Sequence, residues 1–192
     1  MDIANITDLT GFEVGIKDYV VSPKFKINGE EHEITKRLDK GQIYGYNYRY
    51  KQNNMFYSGF DNTQLLYPAF YSTDKDAKDL AYFLQEKIPA VSIKEMDGWT
   101  SLFYGARNMR NDIVRELARF AGCHIFCESD DVIYASRNYV TIHAASTGEK
   151  TLYFPENCTP VEIYEKKAYG EKVNKITFNL LKGETKTFEL KW

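Results

Sequence analysis

The stretch from Gly98 to Phe126, GWTSLFYGARNMRNDIVRELARFAGCHIF, constrains the fold of this chain more than any other. Trp99 to Tyr104 is aromatic and β-favouring, and Asn108 then offers a helix N-cap. Met109, Ile113, Val114, Leu117 and Ala121 recur at helical spacing, which leaves Arg110, Asp112, Arg115 and Arg119 for the solvated side. Gly122 stands where a left-handed C-terminal cap is wanted, and Cys123 to Phe126 reads as a new strand. Strand, helix and strand in that order predict a β-α-β crossover whose strands lie parallel in one sheet.

Upstream, a polar lead-in over residues 1 to 10 runs directly into a strand from Gly11 to Ile16, as if an earlier domain were already under way. Pro23 parts this strand from KFKINGEEHEI, where Asn28-Gly29 between alternating apolar and polar residues is a strong hairpin signal. Phe25, Ile27 and Ile34 mark its buried face. In GQIYGYNYRY the two-residue period of a strand puts Tyr44, Tyr46, Tyr48 and Tyr50 on one side, with Ile43, Gly45, Asn47 and Arg49 on the other. Such a stripe offers stacking surface to sugar rings. Packing against a following hairpin, Met55 to Phe60, is the other reading, since sheets favour Tyr for packing alone.

A strand over Leu65 to Tyr71 is followed by STDKDAKDLAYFLQEKIP, where Ala77, Leu80, Ala81, Leu84 and Ile88 trace a helical apolar face. Ser72 to Asp74 supply its caps and Pro89 stops it. Ala90 to Ile93 and Trp99 to Tyr104 then form a hairpin across Met96-Asp97-Gly98. Beyond Phe126 only short apolar runs remain: 132–135, 139–144, 151–154, 161–164, 176–180 and 185–190, parted by polar turns such as PENCTP and KKAYGE. The expected fold is therefore α+β and strand-rich: a small α/β part with two helices over residues 1–124, carrying an inserted β-hairpin region, then an antiparallel β-sandwich-like domain over 125–192.

A formal charge of −2 leaves no surplus of Lys and Arg to neutralise phosphates, which argues against nucleic acid as a partner. No run approaches the ~20 apolar residues of a membrane span, and MDIANITDLTG has no apolar signal core. Three cysteines, an odd count, read as reduced thiols, so a cytoplasmic setting is favoured. Cys123 and Cys127 would share one side of a strand near His124, yet no second ligand pair with zinc spacing follows, and neither metal nor cofactor is expected.

Catalytic signals are equally sparse. Glycoside hydrolysis needs two carboxylates facing each other about 5 to 9.5 Å apart. Of the 27 Asp and Glu residues, most sit in turns or on helix faces, and the adjacent pair Asp130-Asp131 diverges as turn residues do. His143, in VTIHAAS, is either a satisfied structural histidine or a general base, but no Ser or Cys nucleophile is identifiable beside it. No catalytic residue is assigned.

From Gly98 to Tyr164 the chain resembles the C-terminal, non-catalytic region of bacterial β-galactosidase-like enzymes of glycoside hydrolase family 42. The features that carry this are the Arg115-Glu116-Leu117 helix, Gly122, His124, Asp131, Val132, Tyr134 and His143 in that order, with LTGFEV at Leu9 to Val14 as a late part of the preceding domain. The resemblance implies a partial glutamine amidotransferase-like, trimerisation-type α/β domain followed by a small β-domain. It further implies an upstream catalytic barrel on the same polypeptide and homo-oligomerisation. The barrel's glutamates have no counterpart here, because a (β/α)₈ unit needs ~250 residues. The expected role is thus accessory or assembly, with carbohydrate binding through the tyrosine stripe as the alternative.

Overall fold

The computed structural model describes residues 3–28, 31–45 and 65–192, and divides the chain into two units, Met1–Glu116 and Leu117–Trp192. Among the described residues the architecture is strand-rich α+β, with two helices and several antiparallel sheets.

In the first unit, helix α1 (Ala4–Thr10) ends at Gly11, whose left-handed φ of 74° lets its N–H donate to the Thr7 carbonyl. Strands β1 (Val14–Lys17) and β3 (Ala69–Ser72) form an antiparallel pair. The larger sheet runs β2 (Phe25–Ile27), β4 (Lys78–Phe83), β5 (Pro89–Met96) and β6 (Trp99–Tyr104), each antiparallel to its neighbour. Phe25, Ile27 and Ile34 are buried as expected. Phe25 lies at the centre of an aromatic group, stacked on Tyr44 at 5.6 Å and met edge-on by Tyr104 at 5.7 Å.

Three expectations are corrected here. The stretch expected as a helix over Ala77 to Ile88 is strand β4 followed by a turn. Its register slips between Asp79 and Tyr82, so Leu80 and Ala81 are both buried, and two adjacent buried residues imitate a helical pattern. The return strand after Asn28 is replaced by turns over 33–37, and β2 pairs with β4 instead, where the Asn28 N–H donates to the Leu80 carbonyl at 2.7 Å. Gly29 lies outside the described residues. The parallel crossover is also absent: β6 pairs antiparallel with β5, and Cys123 to Phe126 is not a strand.

A helix does form in the stretch from Met109 to Ala121, but it starts at Asn111, past the expected cap Asn108, and Met109, Val114 and Ala121 of the expected apolar face are exposed while Glu116 is buried. Helix α2 (Asn111–Phe120) buries Ile113, and the division between the units falls inside it. Gly122, at φ 77°, donates to Arg119 O while Cys123 N donates to Ala118 O, so the last carbonyls are satisfied in the double-bonded glycine cap.

In the second unit, β7 (Val132–Ala135), β8 (Tyr139–His143), β12 (Thr185–Lys191), β9 (Gly148–Glu162) and β10 (Lys167–Ala168) form an antiparallel sheet in the spatial order β7-β8-β12-β9-β10. Among the described residues, strand β11 (Val173–Leu180) pairs only with β9. The sequence reading divides β9 into two strands at PENCTP; the structure has one strand of 15 residues. Its first half, 148–153, pairs with β11, and its last residues, 159–162, pair with β12. Side chains from both ladders meet in one core: Val140 and Ile142, Leu152 and Phe154, Ile176 and Phe178, Phe188 and Leu190. The Tyr169, Phe178 and Phe188 rings pack within it at centroid separations of 5.2 to 5.9 Å.

Candidate functional site

The second unit carries three features with chemical content. The first is the outer face of its sheet. Burial alternates along β8, with Val140 and Ile142 inside and Tyr139, Thr141 and His143 outside. Register then aligns rows across that outer face. Tyr134 of β7 opposes Thr141, whose hydroxyl meets that of Thr187 at 3.0 Å; Val132 opposes His143, whose Nδ1 lies 2.8 Å from Thr185 Oγ1. Tyr139 opposes Glu189, and Ile163 donates its N–H to Thr187 O beyond them. Tyr134 is 70% exposed, and Tyr139, Val132 and Ile163 are exposed as well. The charged groups Glu189 and Lys191 lie at one end, 3.6 Å from each other. What results is a sheet face of tyrosine, threonine, histidine and aliphatic groups.

The second feature is an ion pair inside the unit. Lys150 sits on β9 at an inward position, and its ammonium meets Asp131 at 2.8 Å, with side chains 3% and 1% exposed. Asp131 also accepts from the Ala145 N–H at 2.8 Å and from the Ser129 hydroxyl at 2.5 Å, while Lys150 donates onward to Ser146 Oγ at 3.1 Å. Burial works to raise the Asp131 pKa, but Lys150, Ser129 and the Ala145 N–H together outweigh it and hold the carboxyl below its ordinary value. A carboxylate with its lone pairs so engaged is a tie between two loops, not a proton acceptor for a substrate.

The third is a groove of about 330 Å³ lined by Phe126, Pro155, Leu190 and Trp192 on its apolar side and by Ser136, Arg137 and Glu156 on its polar side. The Trp192 indole N–H donates to the Arg137 carbonyl at 2.9 Å, which fixes the ring while leaving the residue 51% exposed.

The residues singled out from the sequence are distributed as follows. Tyr44 is 0% exposed, with its ring stacked on Phe25, the Arg110 guanidinium 5.4 Å from its centroid, and its hydroxyl donating to Asp39 O. Burial pushes its phenol pKa up to about 12, with Asp112 adding to the effect. Tyr46, Tyr48 and Tyr50 lie outside the described residues. Asp131 turns inward to Lys150, while Asp130 stays at the surface. His143 faces outward onto Thr185. Cys123 is exposed, Cys127 and Cys158 are buried, and all three are free thiols. His124 Nε2 lies 2.9 Å from Tyr153 O and its ring meets Phe126 edge-on. No three His, Cys, Asp or Glu side chains converge as metal ligands among the described residues. None of their helices is long and apolar enough to cross a membrane.

Sequence reasoning missed both the ion pair and the groove. A usable signal for the first was Lys150 itself, a charge at the inward parity of Leu152 and Phe154, which calls for a buried partner.

No family model matches the chain, and no curated protein does. Solved structures do. The chain is similar to Gan42B, a GH42 β-galactosidase from G. stearothermophilus, with a TM-score of 0.51 at 11% identity over 95% of this chain and 24% of that one; a catalytic mutant of the same enzyme gives the same figures. A cold-adapted β-galactosidase from Rahnella sp. R3 is matched at a TM-score of 0.39, with 12% identity over 65% of this chain and 19% of the other. The chain therefore spans about a quarter of the length of the first of these enzymes, and at such identities the likeness to Gan42B is one of fold.

Proposed function

We propose that this chain is a non-catalytic accessory and assembly region of a carbohydrate-active enzyme of the GH42 β-galactosidase type. Its partners in this reading are a catalytic barrel on the same polypeptide and further copies of the chain. The observation that carries the reading is the outer face of the second unit's sheet. Tyr134, Tyr139, Val132 and Ile163 stand exposed around a threonine ladder, with Glu189 and Lys191 confined to one end. Exposed tyrosines with charge kept to the edge match the composition of protein–protein contacts, where aromatic residues are enriched and charged ones depleted at the centre. The likeness of fold over 95% of the chain to a GH42 β-galactosidase is what suggests the kind of enzyme in this reading.

The test is direct. The purified 192-residue chain is incubated with nitrophenyl β-galactoside, β-glucoside and α-arabinoside, and no release of nitrophenol is expected above a boiled control. Turnover that survives repurification would overturn the non-catalytic reading.

A further inference from the structure

The groove between Phe126 and Trp192 is created by an irregularity in β9. On β11, Val173 and Lys175 are two residues apart; their partners on β9, Cys158 and Tyr153, are five apart. Three extra residues are thus taken up between Phe154 and Asn157, inside the ladder with β11, just before the pairing with β12 begins at Thr159. Bulges re-aim side chains, and here the effect falls on Glu156. Its even-numbered neighbours Leu152, Phe154, Cys158 and Pro160 all point into the core, and Glu156 alone in that series is turned out to solvent. The bulge thereby adds a carboxylate and the Pro155 ring to a groove that otherwise belongs to Arg137, Leu190 and Trp192.

From this geometry we propose that the groove binds a neutral saccharide, one or two pyranose rings in size. The volume of about 330 Å³ is at the lower end of the range of small-ligand clefts. The Trp192 indole lines the groove with its N–H bonded to the Arg137 carbonyl, so an aromatic surface suited to the C–H face of a pyranose is already partly ordered. Among the described residues, neither Arg137 nor Glu156 enters an ion pair. One is a pure donor and the other a pure acceptor, so together they complement vicinal hydroxyls, which need both. Their opposite charges disfavour an anionic or a cationic ligand, each of which would face one like charge. The site owes nothing to Tyr44, and it does not depend on the assembly role of the outer sheet face.

The experiment uses the full chain with Trp99→Phe, which leaves Trp192 as the sole indole, since the chain has two tryptophans. Indole fluorescence is followed while lactose, cellobiose or β-1,4-galactobiose is added. At least one disaccharide is expected to give a saturable change with a Kd on the order of millimolar. Arg137→Ala and Glu156→Gln, both surface changes that leave the core intact, are expected to weaken binding roughly tenfold each. Trp192→Ala, read by calorimetry, is expected to abolish it. Absence of saturation with all three sugars up to ~100 mM would overturn the proposal. Binding that is unchanged in Arg137→Ala and Glu156→Gln, or tighter binding of a charged uronic acid, would overturn it equally.

Discussion

Asp131 and Lys150 meet at 2.8 Å with both side chains almost wholly enclosed, and together they tie the loop before β7 to the turn before β9. Removing one partner strands the other charge without solvent. Asp131→Asn is therefore expected to destabilise the second unit by about 3–5 kcal/mol. Asp131→Leu together with Lys150→Met is expected to lose less than Asp131→Asn alone, because no uncompensated charge stays buried. Urea denaturation of the three proteins, followed by Tyr and Trp fluorescence, checks the order.

The same pair sets an acid limit. Asp131 titrates below its ordinary value in the folded chain, so between the folded pKa and the unfolded value of ~3.9 the unfolded state binds more protons. The stabilisation is fully present above the unfolded value and is lost as pH falls through the folded one. Asp74 behaves alike in the first unit. Burial tends to raise its pKa, but Lys94 at 2.6 Å and the N–H groups of Glu13 and Asp76 bring it below the usual range. Thermal melts between pH 5 and pH 2 should show Tm falling steeply below about pH 4, and Asp74→Asn should flatten that fall for the first unit.

Gly45 bears on the packing of Tyr44. It holds a φ of 86°, and a Cβ placed there would stand 1.9 Å from the Pro23 carbonyl oxygen. Gly45→Ala would force apart the Phe25–Tyr44 bridge, at a cost of about 1–3 kcal/mol. A drop in Tm of several degrees is expected; an unchanged melt would show that the backbone relaxes freely there.

The assembly reading makes a solution prediction. Sedimentation velocity at tens of micromolar should show reversible association, and Tyr134→Lys with Ile163→Glu should abolish it while leaving stability within roughly 0.5 kcal/mol. Both residues are exposed in the single chain, so a large loss of Tm would contradict their placement.

Local signals were legible where structure is local. Helix α2 and its Gly122 cap follow from sequence spacing, because an amphipathic helix and its terminal hydrogen bonds are settled within a few residues. The same holds for the positions of β7, β8 and β12, of which β8 alternates in burial along its whole length. Strand β4 was not legible, since the slip at Asp79 to Tyr82 erases the two-residue period, and the partners that make it a strand, β2 and β5, are supplied by tertiary pairing. At PENCTP the turn chemistry predicts a break between two strands, and β9 instead runs straight through it. What it interrupts is the ladder with β11, not the strand, and nothing local distinguishes the two. The groove was invisible for the same reason, as it joins Phe126, Arg137, Glu156 and Trp192 from four separated segments.

Strand β9 also has a dynamic consequence. Because one continuous strand supplies partners to β11 through residues 148–153 and 158 and to β12 through 159–162, opening either ladder frees one part of a strand whose other part stays anchored, and both parts contribute side chains to the same core. Amide protons on β8 and β11, which share no hydrogen bonds with each other, should therefore exchange with deuterium at one common free energy of opening. Such behaviour would make the second unit a single cooperative block, in which a perturbation at the bulge is registered in every strand.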